Sequence, residues 1–145
     1  MSDSPSRGSS GSSVSSSAAT PFERLGGEAT VRALVERFYD AMDDHEPELA
    51  ALHPLEAGKV SRVSRDRFAL FLIGWLGGPQ EYMRLHGHPR LRMRHAHVPV
   101  TVAMREAWLR SMRVALEDPS VGADSRVFLE QKLSELADFL RNQPG

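Results

Sequence analysis

The chain has 145 residues, of which 26% are charged and 41% hydrophobic, and its formal net charge is -1. This length predicts one domain, and the balanced charge argues against a general nucleic-acid binder, which needs a basic excess to meet phosphate. No apolar run approaches the roughly 18 to 20 residues that span a bilayer, so no integral membrane protein is predicted. Cysteine is absent, which excludes disulfide scaffolds and iron–sulfur clusters and suits a reducing, cytoplasmic location.

The first twenty residues differ in composition from the rest of the chain. Residues 2–20 contain ten serines, and Val14 is their only large aliphatic residue. Such a segment buries too little apolar area to offset the entropy of ordering, so residues 1–20 are predicted to be a disordered Ser-rich tail. A secretory signal is not predicted because the segment lacks an apolar stretch, whereas a transit peptide stays open. Residues 21–145 are predicted to form the folded domain.

From residue 21 onward, apolar residues recur at the spacing of amphipathic helices, and no strand pattern of period two competes. The four main predicted helices are 28–42, 61–76, 100–118 and 125–141. A shorter helix is predicted at 45–52, and Gly77-Gly78-Pro79 is predicted to stop the second main helix. Residues 80–99, which are rich in Arg and His, are predicted to contain short helical pieces and loops. The predicted fold class is therefore all-α.

Four of the six histidines form two closely spaced pairs, His86-x-His88 and His95-x-His97. Three imidazoles and a water make a common catalytic zinc site, so a zinc centre is one interpretation of this cluster. Residues two apart on a helix point to different faces, and Glu81 is the only nearby carboxylate, which favours solvated loop histidines instead.

The other residues that could carry chemistry are polar aromatics and arginines. Buried Tyr39 and Trp108 would each need a hydrogen-bond partner, and core aromatics with one hydrogen bond are the plain interpretation. The arginines of the segment 84–94 could bind carboxylates or phosphates, or form a solvated face. The sequence contains no GxSxG, no phosphate-binding glycine loop and no HExxH, so no nucleophile or zincin motif directs the interpretation.

Several separate motifs, which span residues 22–140 in the expected order, together resemble the group II truncated haemoglobins. The motifs are Arg37-Phe38-Tyr39, FLIGWLGGP at 71–79, Tyr82, HGHPRLRMRH at 86–95 and Ala107-Trp108-Leu109. The resemblance implies a truncated globin, which is a two-over-two helical sandwich with haem b (iron protoporphyrin IX) between the helix pairs.

The resemblance also implies a role for individual residues around that haem. His95 matches the proximal ligand to iron, which displaces the zinc interpretation. Tyr39, His53 and Trp108 match polar distal residues that stabilise a bound ligand. The remaining matches are Phe38, Ser64 and Phe68 in the distal pocket, and Tyr82, Arg92 and Arg94 as partners of the haem propionates.

Two positions depart from the family pattern. His53 lies where members often have Tyr or Phe, and it is expected to add a titratable donor near the ligand. Ala96-His97-Val98-Pro99 replaces a Pro-Phe-Pro-like run, which raises the question of whether His97 binds iron; the spacing of His95 from the HGHP motif favours His95. Without an external ligand, His53 or Tyr39 could become the sixth ligand of the iron.

The resemblance implies a protein that binds oxygen and other diatomic ligands. An O–H and an N–H that donate to a negatively charged ligand contribute about 1.5–3 kcal/mol each, which slows oxygen release. Slow release favours redox chemistry with oxygen, nitric oxide or peroxide over bulk oxygen transport. Carbon monoxide is a further expected ligand. Nitric oxide dioxygenase and peroxidase-like activities are the candidate reactions, with an unknown reductase as a separate chain.

Other functions and assemblies stay open at this point. Oxygen storage or sensing would need the same pocket. A haem-free helical interaction module and a zinc hydrolase are the alternatives from other classes. The chain is expected to be a cytoplasmic monomer or homodimer, with no nucleic-acid or membrane partner.

Overall fold

The computed structural model describes residues 19–96, 98 and 100–141. The elements in chain order are α1 Pro21–Leu25, α2 Glu28–His45, α3 Pro47–Ala50, β1 Leu55–Glu56, β2 Lys59–Val60, α4 Arg62–Trp75, α5 Glu81–His86, α6 Leu91–Arg94, α7 Val102–Leu116 and α8 Ala123–Leu140. Except for Ala19 and Thr20, the predicted tail lies outside the described residues, as do His97 and Pro99. None of the helices in the described ranges is both long and apolar enough to cross a membrane.

Two pairs of long helices form the two layers of the fold, α2 with α4 and α7 with α8. Helix α2 packs against both α4 and α7, and α7 packs against α8. The side chains between them are fully or almost fully buried, because each helix directs an apolar stripe inward. The largest of these are Leu34, Phe38 and Met42 from α2, Leu72 from α4, Met112 and Leu116 from α7, and Leu129 and Leu133 from α8. The predicted all-α, two-over-two architecture is confirmed.

Three of the helices begin at a hydroxyl side chain that caps the first turn. Thr20, Ser61 and Thr101 each accept a hydrogen bond from the backbone N–H three residues later. These bonds satisfy amide groups that have no partner within the helix, which fixes where the helix starts. Thr20 therefore belongs to the folded domain, whereas the composition of the sequence had placed it in the tail.

A short antiparallel hairpin, which the sequence did not predict, connects α3 to α4. Leu55 pairs with Val60 and Glu56 with Lys59. The two turn residues, Ala57 and Gly58, have positive φ angles of 53° and 79°, as tight two-residue hairpin turns require. Each strand has only two residues, which is too short for a period-two pattern to show in the sequence.

Helix α1 closes against the glycine turn that follows α4. The Phe22 amide donates to the Leu76 carbonyl at 2.9 Å. Gly77 has a φ of +97°, and a Cβ on Gly78 would lie 2.8 Å from ring atoms of Phe22. The two glycines therefore end α4 as predicted and also leave space for the Phe22 ring.

Helix α4 is apolar over a wider face than the core covers. Val63 and Trp75 continue the apolar spacing of this helix, yet their exposed fractions are 61% and 39%. Both residues line surface-accessible cavities instead. Part of the apolar surface of α4 therefore lines cavities and is not buried in the core.

Candidate functional site

Two adjoining cavities, of about 200 and 420 Å³, lie between the helix pairs. The smaller is bordered by α3, α7 and α8, and the larger by α2, α4 and α5. The residues common to both walls are His53, Arg94, His95, Trp108, Leu136 and Leu140. The two cavities therefore adjoin each other along a shared wall that contains two histidines.

His95 follows the single-turn helix α6 and has a fixed ring orientation. Its Nδ1 lies 2.7 Å from the Leu91 carbonyl oxygen. A carbonyl can only accept, so Nδ1 carries the proton and Nε2 retains its lone pair in the neutral ring. Metal-ligating histidines usually make such a hydrogen bond with the ring nitrogen that does not bind the metal. The geometry therefore suits His95 to coordinate a metal through Nε2.

His53 repeats the same local geometry beyond the end of α3. Its Nδ1 lies 3.0 Å from the Leu49 carbonyl oxygen, so Nε2 again has the lone pair. Burial is the largest influence on its pKa and lowers it below the ordinary value of 6.5. The ring is therefore neutral at pH 7 and offers an acceptor at Nε2. The expectation that His53 adds a donor is corrected, because the Leu49 carbonyl already takes its proton.

Tyr39 and Trp108 provide the polar hydrogens of the larger cavity. Both line it, and Tyr39 is only 5% exposed. Within the described part of the chain, neither the Tyr39 hydroxyl nor the Trp108 indole N–H has a hydrogen-bond partner. Burial raises the pKa of Tyr39 strongly, against a smaller lowering by Arg65, so the phenol keeps its proton. The cavity thus contains two donors that can serve a bound molecule.

Phe38 and Phe68 hold these donors in place. The Phe38 ring packs edge-on against Tyr39 at 4.8 Å and against Trp108 at 5.1 Å between centroids. Phe38 is fully buried and does not line the cavity, so its predicted place in the pocket is corrected to the layer behind the wall. Phe68 does line the larger cavity, as does Ser64, whose hydroxyl hydrogen-bonds to Ser61.

The three residues predicted to bind the haem propionates lie at different positions relative to the two cavities. Tyr82 is 5% exposed and lines the larger cavity. Arg94 lines both cavities, and its Nε donates to the Pro89 carbonyl at 2.7 Å. Arg92 lines neither; its guanidinium carbon lies 5.1 Å above the Phe139 ring. The prediction for Arg92 is corrected, because its position on α6 directs it to the outer surface.

Sequence reasoning missed several lining residues. Arg67 lines the larger cavity, and Leu136 and Leu140 line both. Arg67 lies one helical turn after Ser64, so helical spacing could have identified it. The two leucines were recognised as an apolar stripe of the last helix, but nothing in that stripe separates core from cavity wall.

A buried arginine, also missed, ties α2 to α4 behind the tyrosine. The Arg65 guanidinium pairs with Asp43 at 2.7 Å, Asp40 at 2.8 Å and Glu36 at 2.9 Å. Its central carbon lies 5.7 Å from the centroid of the Tyr39 ring. Its side chain is 7% exposed, so the three carboxylates stabilise a charge that would otherwise be costly to bury.

No zinc site is formed by His86, His88 and His95, which are the described members of the histidine pairs. No group of three or more His, Asp or Glu side chains among residues 19–96, 98 and 100–141 converges to hold a metal ion. A metal held by one protein ligand needs other ligands from a cofactor, and a porphyrin supplies four nitrogens in a plane. A largely apolar space that has two oriented imidazoles, the donors of Tyr39 and Trp108 and the cation of Arg94 in its wall fits such a carboxylate-bearing macrocycle.

A two-over-two helical sandwich around such a cavity defines a haem-binding globin. The family model of bacterial-like globins matches residues 20–142. The chain is 34% identical over 123 residues to the group 2 truncated haemoglobin YjbI of Bacillus subtilis, which covers 85% of this chain and 89% of the relative.

Solved structures agree with this match. The cold-adapted truncated haemoglobin of Pseudoalteromonas haloplanktis is 38% identical with a TM-score of 0.79, covering 86% of this chain and 99% of that one. The group II truncated haemoglobin of Bacillus anthracis is 35% identical with a TM-score of 0.80, covering 88% and 94%. The chain therefore belongs to the bacterial-like globin family, among the group II truncated haemoglobins, a family that binds ligands at a haem.

Proposed function

We propose that this protein binds haem b with His95 as the proximal ligand and performs redox chemistry on oxygen, nitric oxide or peroxide. One observation supports this most strongly. The Tyr39 hydroxyl and the Trp108 indole N–H share the larger cavity with His95, and both lack a hydrogen-bond partner in the described chain. A molecule that fills the cavity and excludes water would leave both donors unpaired unless it accepts hydrogen bonds from them, so their position favours a polar ligand.

The residues around the cavity would hold the haem at three points. His95 would coordinate the iron through Nε2, with Leu91 fixing the ring. Tyr82 and Arg94 would bind the propionate carboxylates at the mouth through charge-assisted hydrogen bonds. The apolar walls would exclude water, and the haem, when bound, would supply a redox-active iron.

Tyr39 and Trp108 would then act on the ligand. Each can donate a hydrogen bond to negative charge in a dry cavity, where such donors are worth more than in water. At about 1.5–3 kcal/mol each, the two bonds would hold oxygen long enough to favour reaction over release. Bulk transport needs ready release, so the two donors favour redox chemistry.

His53 is the better candidate for a sixth ligand when no external ligand is present. Its Nε2 has a lone pair at neutral pH, since burial lowers the pKa of the ring. Tyr39 would have to lose its proton, and burial raises the pKa of that phenol. A ferric spectrum that stays fully high-spin across pH, and is the same in wild type and His53→Leu, would reject this assignment.

Absorption spectra of haemin-reconstituted protein test the haem site. The ferric, ferrous and carbon monoxide forms of wild type should show a Soret band that shifts sharply with carbon monoxide. His95→Ala should weaken haem uptake or change the ligation, whereas the matched variant His97→Ala should match wild type. Absence of stable haem uptake would overturn the proposal, and an effect confined to His97→Ala would move the ligand to that residue.

Kinetics test the reaction. The oxygen complex is expected to consume nitric oxide stoichiometrically, or the ferric protein to turn over peroxide with an added reductant. If neither reaction occurs while oxygen binds reversibly, the proposal of redox chemistry is wrong, and oxygen storage or sensing becomes the proposed function.

A further inference from the structure

An exposed apolar groove of about 320 Å³ lies on the outer face of α4, α6 and the end of α8. Its lining includes Trp75, Met93 and Phe139, which are 39%, 64% and 54% exposed. Large apolar side chains that cluster on a surface mark interaction sites more often than single exposed ones do. We call this surface the α4–α6 groove.

The α4–α6 groove has ordered aromatic and arginine side chains. Trp75 stacks on Phe71 with centroids 6.4 Å apart and planes inclined by 21°. The Arg92 guanidinium lies over the Phe139 ring. Tryptophan and arginine are the residue types that dominate binding energy in protein interfaces, so these contacts preorganise the groove for a protein partner.

The rim of the groove is positively charged. Residues 82–105 contain no Asp or Glu, although the whole chain has a net charge of -1. Arg84 pairs with Glu81. In the described ranges no salt bridge neutralises Arg90, Arg92 or Arg94, the next three arginines of this segment. The surface therefore favours a partner with an acidic rim.

The groove shares part of its wall with the larger cavity. Phe71 and Leu91 line both the groove and the larger cavity. A partner in the groove would therefore be separated from the cavity by one layer of side chains.

We infer that the α4–α6 groove docks an acidic electron-carrier protein that reduces the iron; this rests on the proposed haem function. One electron would leave the partner's reduced flavin or iron–sulfur centre and convert ferric to ferrous iron, with no bond or proton transferred. The apolar floor supplies contact area, and Arg90 and Arg92 select acidic partners and orient them.

The charges disfavour other occupants. A two-fold contact between copies of this chain through the groove would bring two positively charged rims together, which is repulsive. Residues 1–18 contain a single acidic residue, Asp3, and after Met1 a single large aliphatic residue, Val14. They offer little charge or apolar surface that would complement the groove.

Binding of a flavodoxin, an acidic FMN protein, tests the inference. Calorimetry of the haem-loaded protein with oxidised flavodoxin should show binding that weakens as salt rises. Arg90→Glu and Trp75→Ser should each weaken it at least tenfold. Arg113→Glu, which changes another exposed arginine on α7, should weaken it less than threefold, and basic cytochrome c should not bind.

Reduction kinetics provide the second measurement. Photoreduced flavodoxin should reduce the two groove variants at least tenfold more slowly than wild type, whereas dithionite should reduce all proteins alike. Absence of flavodoxin binding at low salt, or equal weakening by Arg113→Glu, would overturn the docking site. A dimer in sedimentation that Trp75→Ser dissociates would assign the groove to a second copy instead.

The two proposals fail separately in these experiments. A normal haem and carbon monoxide spectrum without flavodoxin binding would reject the docking site alone. Failure of haem uptake would reject the haem function, and with it the electron-transfer role of any flavodoxin that still bound.

Discussion

The chain has two tyrosines and two tryptophans, and the two residues of each type have different environments. Of these four residues, Tyr39 and Trp108 have donors in the larger cavity without a hydrogen-bond partner among the described residues. Tyr82 also lines that cavity and packs between Phe71 and His86, whereas Trp75 lies in the surface groove. The tryptophan side chain can therefore be tested both at a ligand position and away from it.

Tyr39→Phe and Trp108→Phe should each accelerate oxygen dissociation from the ferrous protein. Each variant loses one hydrogen bond to a charged ligand, about 1.5–3 kcal/mol, which corresponds to roughly 10- to 100-fold in rate. Stopped-flow displacement of oxygen by carbon monoxide measures this rate. Trp75→Phe is the matched control and should stay within about threefold of wild type; equal effects at all three positions would show that packing, not donation, controls the rate.

The lowered pKa of His53 should make the folded protein less stable in mild acid. The unfolded chain takes up this proton near pH 6.5, before the folded chain does, so stability is complete above that pH and declines below it. Urea unfolding of the ferrous carbon monoxide form at several pH values between 5 and 8 measures the effect. His53→Gln should lack this part of the decline in stability. If the stability of wild type and of His53→Gln falls in parallel as the pH is lowered, the assignment of the decline to His53 is wrong.

The residues that line the cavity were more predictable than their geometry. The resemblance predicted roles for His95, Tyr39 and Trp108, and all three line the larger cavity. The proton position on His53 could not be predicted, because it depends on the carbonyl four residues earlier in the folded chain. The resemblance also placed Phe38 in the pocket and Arg92 at the haem, but a match between sequences does not fix how deep a side chain lies or in which direction it points in this chain.

At the scale of elements, Arg65 connects the two helices of one layer. Asp43 is its most buried partner, at 5% side-chain exposure. The same carboxylate also accepts the Val60 amide at 3.1 Å, so the network fixes the hairpin as well.

Arg65→Met should lower the free energy of unfolding by about 3–5 kcal/mol, because it leaves the buried Asp43 carboxylate unpaired. Arg62→Met is the matched control on the same helix. Arg62 is 57% exposed and also pairs with Glu36, so its loss should cost at most about 1 kcal/mol. Urea denaturation followed by circular dichroism measures both, and equal losses would contradict a special role for burial.

Gly78→Ala should destabilise the contact of α1 with the turn after α4. The added methyl would lie 2.8 Å from the Phe22 ring and 3.0 Å from Ile73 Cγ2, so one of them must shift, at about 1–3 kcal/mol. Gly122→Ala is the control, since nothing lies within 4 Å of its Cβ position. A thermal melt compares the variants, and an unchanged melting temperature for Gly78→Ala would show that Phe22 adapts without strain.

The long helices were predictable from periodicity, and the short elements were not. The predicted helix 61–76 differs from the observed Arg62–Trp75 by one residue at each end. Helix α1 has five residues, and each strand of the hairpin has two. These elements depend on tertiary partners such as the Leu76 carbonyl and Asp43, and a local sequence window does not contain those partners.

At the scale of the whole molecule, the folded domain is expected to need little of the Ser-rich segment. The family match begins at residue 20, and Thr20 caps the first helix. A chain that starts at Ala19 should keep the wild-type melting temperature and carbon monoxide spectrum.

A chain that starts at Gly27 is the control for this truncation. It loses the side chains of Phe22 and Leu25, of which Leu25 is 4% exposed, and should lose about 2–4 kcal/mol of stability. A large loss of stability in the chain that starts at Ala19 would show that residues 1–18 contribute to the stability of the fold.

The single-turn helix before His95 has a consequence for how long the haem stays bound. None of the residues of α6 is buried, so this segment is expected to open locally at a small fraction of the free energy of global unfolding. Local opening exposes little surface and therefore responds weakly to denaturant. Haem transfer to apomyoglobin should consequently accelerate only slightly in urea concentrations that already increase global unfolding many-fold. The lifetime of the loaded protein would then depend on one helical turn and not on the stability of the whole sandwich.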